Sequence, residues 1–105
     1  MAKVDFTVSE GNKSRGSGGP TLMSSRLRLS GQDTITTAEN IEDASGDIVL
    51  AAGDVFCILA DANLRIRFGG VAATATTGHI VPANQHCAFE IDGRDAGTVS
   101  AVEAT

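Results

Sequence analysis

Four separate segments of this 105-residue chain alternate apolar and polar side chains with a period of two. Val4, Phe6 and Val8 alternate with Lys3, Asp5 and Thr7, and Leu27 and Leu29 with Arg26 and Arg28. Leu64, Ile66 and Phe68 alternate with Arg65 and Arg67, and Cys87, Phe89 and Ile91 with Ala88, Glu90 and Asp92. Successive side chains of a strand point to opposite faces, so each segment is suited to a strand with one buried side, whereas a helix would need apolar residues three and four apart. The pattern therefore commits the chain to sheets. It places Leu27 and Leu29 inward, with the arginines beside them outward.

The intervening segments fit the same class. Thr34–Thr37 is β-branched throughout, which favours an extended backbone, and Asn40–Gly46 is acidic and turn-like. Thr37–Glu42 alternatively suits a single helical turn. The apolar runs Asp47–Leu50 and Val55–Ala60 predict central strands covered on both faces, joined by a hairpin loop at Ala51–Asp54. Asp61–Asn63 is a further turn. Gly69–Gly78 is small and largely uncharged, which predicts a long loop or irregular strand able to lie flat on another surface. His79–Pro82 leads towards the strand at 86–92, and Asp92-Gly93 marks a tight turn before a last strand at Thr98–Val102. About eight short strands with frequent turn signals predict an all-β domain over 1–105, a compact sandwich or barrel of jelly-roll type. Residues 9–20, SEGNKSRGSGGP, contain no apolar side chain and predict a flexible loop or arm.

Composition narrows the function classes. With 42% hydrophobic and 20% charged residues the chain has enough apolar surface to build a core, and no apolar run is long enough to span a bilayer. The alternating N-terminus lacks the apolar stretch of a secretory signal, so a soluble protein made in the cytoplasm is expected. In that reducing compartment Cys57 and Cys87, each inside an apolar run, are expected to be buried thiols, with a disulfide as the alternative. The net charge of −5 is unevenly divided: residues 1–30 hold five cations and two carboxylates, net +3, while residues 31–105 hold three arginines and eleven carboxylates, net −8. An acidic body repels phosphate, which argues against nucleic acid and favours attraction between the basic arm of one subunit and the body of a neighbour.

No catalytic constellation stands out. His79, His86, Cys87 and Cys57 offer metal-ligating atoms, but neighbours on a strand project to opposite faces and no CxxC or HxxxH spacing is present. A Cys57–His pair needs a thiolate, which the apolar run around Cys57 disfavours. Glu90 and Asp92 share a strand face at the spacing of an acid–base pair, yet a solvated outer face has the same spacing. Gly16-Ser17-Gly18-Gly19 lacks the lysine and the following helix of a phosphate loop. No cofactor, metal or catalytic residue is predicted, and the chain is not expected to be an enzyme. The four phenylalanines occupy expected core positions and tyrosine and tryptophan are missing, which disfavours stacking on bases or sugars.

The arginines carry the main functional expectation. If the strands of Arg26/Arg28 and Arg65/Arg67 are neighbours, four guanidinium groups line one face and can clamp carboxylates of a partner protein. Lys13 and Arg15 in the arm join them as candidate partner-binding residues. DNA on the same arginine face is a competing expectation.

The stretch Leu64-Arg65-Ile66-Arg67-Phe68-Gly69-Gly70, with Ala73–Ala83 and Phe89-Glu90-Ile91 after it, resembles a segment of small virion proteins of tailed bacteriophages. There a strand of the form arginine, apolar, glycine leads through an Ala/Thr-rich stretch to Pro-Ala and a final apolar hairpin. The resemblance covers about residues 64–102. It implies a capsid decoration, or cement, protein on the head surface of the virion, with the major capsid protein and a homo-oligomer, often a trimer, as partners. A head fibre, neck or tail-associated protein is the alternative that the same resemblance allows.

Overall fold

A computed structural model describes residues 2–11 and 23–104, with the side chains of residues 23–26 outside the description. Within these residues ten strands are formed and no helix. They are β1 Ala2–Gly11, β2 Met23–Ile35, β3 Glu39–Asn40, β4 Glu42–Asp43 and β5 Gly46–Asp47, then β6 Asp54–Ala60, β7 Leu64–Arg67, β8 His79–Val81, β9 Cys87–Glu90 and β10 Ser100–Glu103. One four-stranded sheet has the order β2-β1-β6-β9, a second the order β3-β10-β7-β8, and β4 and β5 form a small hairpin. Every pairing is antiparallel. The protein is all-β.

Alternation decides what each sheet buries. Ala2, Val4, Phe6 and Val8 of β1, Phe56, Ile58 and Ala60 of β6, and Leu64 and Ile66 of β7 belong with Val81, Ile91, Val99 and Ala101 to a single apolar cluster. Phe56 is fully buried, its ring centroid 6.3 Å from Phe6 and 5.9 Å from Phe68, the second pair in edge-on contact. Burying such a side chain contributes about 1.5–3 kcal/mol, so the rings of Phe6 on β1, Phe56 on β6 and Phe68 just after β7 are a main source of cohesion between the two sheets. Val55–Ala60 is a central strand, as its sequence predicts, lying between β1 and β9.

Four expectations are corrected. Ser9 to Gly11, assigned to the loop, continue β1, where Ser9 pairs with both Leu27 and Val55; residues 12–20 of that loop lie outside the described residues. Asp47–Leu50 is no central strand: Ile48 and Leu50 are buried, but their amides bond singly to Ile41 and to Gly97. Its apolar residues fill the core from an irregular segment, which the composition of the run cannot distinguish from a strand. Thr37–Glu42 forms no helical turn, since Glu39 and Asn40 pair with β10. The last two strands, expected to form a hairpin, belong to different sheets, and Asp92-Gly93 turns the chain from one to the other.

The fifth difference is local and has consequences. Between β1 and β2, Val8 faces Leu29 but Ser9 faces Leu27, so one step on β1 is matched by two on β2 and Arg28 is the extra residue of a bulge. A bulge shifts the alternation by one position and redirects a side chain. Leu29 packs against the core, whereas Leu27, expected beside it, stands 59% exposed.

Candidate functional site

The arginines do not share a face. β2 lies in the first sheet and β7 in the second, so the pairs Arg26/Arg28 and Arg65/Arg67 are carried by strands that are not neighbours. The Arg26 side chain, Lys13 and Arg15 lie outside the described residues.

Arg28 is turned by the bulge onto Asp54, the first residue of β6. Its Nη2 donates to Asp54 Oδ2 at 2.6 Å and its Nε to Oδ1 at 3.3 Å, while Nη2 also reaches the Val49 carbonyl at 2.8 Å. Asp54 is only 4% exposed and also accepts the Ala51 amide at 2.7 Å. This forked pair joins β2 to the 49–54 segment across the intervening strand β1, and its geometry is that of a fixed structural contact. Leu27, next in the chain, and Val49, whose carbonyl Arg28 holds, are both large exposed aliphatic residues. Sequence reasoning places Asp54 in a hairpin loop and misses this pair, for which its position at the head of an apolar run is the available signal.

Arg65 and Arg67 occupy the outer side of the second sheet. Arg65 faces Val102 of β10 and Ile80 of β8 in the strand register, and Arg67 faces Ser100. The 69–78 segment lies over part of this face: the Ala73 amide donates to Ser100 Oγ at 3.0 Å and the Gly70 amide to the Thr98 carbonyl at 3.3 Å. Its last residue, Gly78, has φ +135°, and a Cβ there would stand 2.7 Å from the Ile66 carbonyl oxygen and 3.2 Å from Arg67 Cγ. Only glycine accepts that backbone against β7. From there the Gly78 carbonyl accepts Arg65 Nη1 at 3.0 Å, while Arg65 Nε is buried without a hydrogen-bond partner. Ile80 and Val71 remain exposed nearby in the chain and sheet, Ile80 at 56%.

The outer side of the first sheet carries a groove of about 350 Å³ whose lining includes Asp5, Thr7, Ser30, Gln32, Cys57 and His86. It brings together a thiol and an imidazole. Burial pushes the Cys57 thiol up, outweighing a hydrogen bond to Thr7 that acts the other way, so the nucleophilic thiolate is disfavoured there. Cys57 and Cys87 are not joined in a disulfide and both are only partly buried, which corrects the expectation of two buried thiols. Cys57 faces Ala88 and Cys87 faces Ile58 in the β6–β9 register, so the two sulfurs belong to opposite faces of one sheet. His79 instead packs its ring against Phe68 and Phe89, with centroids 5.7 and 5.4 Å away. Among the described residues no group of three His, Cys, Asp or Glu side chains is arranged to hold a metal ion.

Asp92 accepts the Arg94 and Asp95 amides at 2.8 and 3.3 Å and so fixes the turn its sequence predicts. Glu39 lies on β3, an edge strand of the second sheet, and Glu42, Asp43 and Asp47 lie on the separate β4–β5 hairpin. Glu42 is held above the usual carboxyl value, chiefly by a hydrogen bond and charge repulsion from Asp47, with Asp33 and Glu39 acting in the same direction. Asp43 is held below it by the Ser45 hydroxyl and amide, at 2.7 and 2.8 Å from Oδ1. Comparison with protein-family models, curated proteins and solved structures finds no match.

Proposed function

We propose that this protein is a structural component of a tailed-phage particle, a decoration protein that rests on the major capsid protein and braces the shell. The observation that carries the reading is the placing of large aliphatic side chains in solvent beside arginines, Leu27 and Val49 around Arg28 and Ile80 beside Arg65. Arginine with flanking apolar surface is the composition of protein interfaces. The well-ordered polar side chains support it in another way: Arg28 with Asp54, Asp33 with the Glu42 amide, Asp61 with the Lys3 amide and Asn63 with the Ala83 amide all tie segments of the scaffold together. They spend their hydrogen bonds on rigidity.

A body of two sheets over one core, read as a sandwich, suits such a part because it offers two stiff outer faces. The resemblance of residues 64–102 to small virion proteins adds the particle, and the capsid as partner. A head fibre, neck or tail-associated role follows from the same resemblance and differs in where the protein sits. The test is mechanical. Particles stripped of this protein should rupture at a lower temperature and under milder osmotic shock than complete ones, and adding the purified protein back should restore them; unchanged robustness would refute the reading.

A further inference from the structure

We propose that the open edge of β2 at Leu29–Gln32 takes up an extended segment of a partner protein as an added strand, one with aliphatic side chains on the core side and a lysine or arginine on the outer side. The inference goes beyond the particle role and does not depend on it. Among the edge strands of the two four-stranded sheets, β9, β8 and β3 span four, three and two residues, whereas β2 spans 13. Short edges offer little to a pairing backbone, so β2 is the edge on which a strand can be added.

The ladder fixes which groups are available. Lys3 of β1 turns its backbone towards the β6 side, its amide donating to Asp61 Oδ1 at 2.8 Å and its carbonyl accepting the Asp61 amide at 3.1 Å. By alternation Asp5 and Thr7 also bond towards β6, and Val4, Phe6 and Val8 towards β2. Their partners Asp33, Gly31 and Leu29 are thereby bonded to β1, while Ser30, Gln32 and Thr34, which face Thr7, Asp5 and Lys3, turn N–H and C=O to the open side. Thr34 is already capped, since its amide donates to Asp33 Oδ1 at 2.8 Å. Asp33 Oδ2 accepts the Glu42 amide at 2.9 Å, which brings β4 against the strand at that point. The Arg28 bulge ends the regular ladder on the other side. Between these limits Leu29, Ser30, Gly31 and Gln32 carry no charge that would keep another backbone away. Among the described residues the Ser30 and Gln32 amides and carbonyls have no backbone partner on the open side.

The two faces of the edge say what the segment carries. Residues placed opposite Ser30 and Gln32 point to the outer face, and the residues between and beside them point to the core side, where Leu29 is only half-buried. An aliphatic side chain there completes its cover. On the outer face Asp5 stands across from Gln32, and both line the groove of about 350 Å³. A lysine or arginine stem laid over Gln32 brings its charge to that carboxylate. A second copy's β2 fits poorly, because antiparallel pairing centred on Gly31 places each Arg28 bulge opposite the other copy's capped Thr34. The fitting occupant is an unbulged segment of a different chain.

Amide hydrogen exchange followed by nuclear magnetic resonance tests this with a short acetylated peptide that alternates valine and threonine and carries one lysine on its threonine face. Saturating peptide should slow exchange of the Ser30 and Gln32 amides at least about tenfold and leave those of β9 unchanged. A peptide with glutamate in place of the lysine should bind at least roughly tenfold more weakly, and Asp5→Asn should reduce that preference. Gln32→Pro removes an outward amide while sparing the β1 ladder, and should weaken binding by a similar factor. Gln32→Lys, which sets a like charge against the peptide's lysine, serves if the proline variant does not fold. Absent binding, protection at another edge or face, no preference for lysine, or undiminished binding to the folded variants would each overturn the proposal. So would the same protection gained by concentrating the protein without peptide, which marks a second copy as the occupant.

Discussion

Replacing Arg28 by alanine should lower the stability of the domain by about 2 kcal/mol. Asp54 is almost fully buried and has three donors, two of them from Arg28. Removing one partner of a buried ion pair costs about 3–5 kcal/mol, because the other charge is left without compensation. The Arg28 side chain keeps 33% of its surface exposed, so water enters to replace part of what is lost, and the Ala51 amide stays in place. The lower figure follows from that discount. Urea denaturation should show it as a fall in midpoint at constant slope, and thermal melting as a drop of about 10 °C for a domain of this size. Arg28→Lys should fall between the two, since an ammonium keeps the charge but not the fork. The neighbouring Leu27→Ala, at 59% exposure, should change stability by less than about 0.5 kcal/mol. If Arg28→Ala were equally silent, or Leu27→Ala the costlier of the two, the bulge at Arg28 and the reorientation drawn from it would be wrong.

Gly78→Ala should cost about 1–3 kcal/mol through its positive φ and the 2.7 Å approach to Ile66, and should leave Gly46→Ala as the milder change, since nothing surrounds that glycine within 4 Å. Glu42→Gln should stabilise the protein at neutral pH. The folded-state proton affinity of Glu42 is raised, so its favourable contribution is complete below the unfolded carboxyl value of 4.5 and is lost as pH rises through the higher folded value. The stability difference between variant and wild type, followed by urea titration at several pH values, should therefore grow from acid towards neutral pH; a constant or opposite trend would remove the cluster around Glu42. Cys57 should react with a neutral thiol reagent more slowly than an unfolded cysteine near neutral pH, with the rate rising as pH passes the ordinary thiol value of 9.0.

Local signals in the sequence identify the strands well where alternation is uninterrupted. Val4/Phe6/Val8, Leu64/Ile66/Phe68 and Phe89/Ile91 lie on the core side because the period of two is a property of each strand alone. The same rule fails at Leu27, where a single extra residue in β2 reverses the side that faces the core, and a bulge has no signature in the alternation of one strand. Strand order is further from reach. The four arginines divide between two sheets because β2 pairs with β1 and β7 with β10 and β8, which depends on contacts between residues far apart in the chain. Ile48 and Leu50 illustrate a third limit: an apolar run shows that residues are buried without showing that their backbone joins a ladder.

The decoration role can be tested most directly by imaging intact particles with this protein labelled. The account predicts label distributed over the whole head surface, at repeating positions between capsid subunits. Label confined to the neck, tail or a single vertex, or no label on the particle, would contradict it.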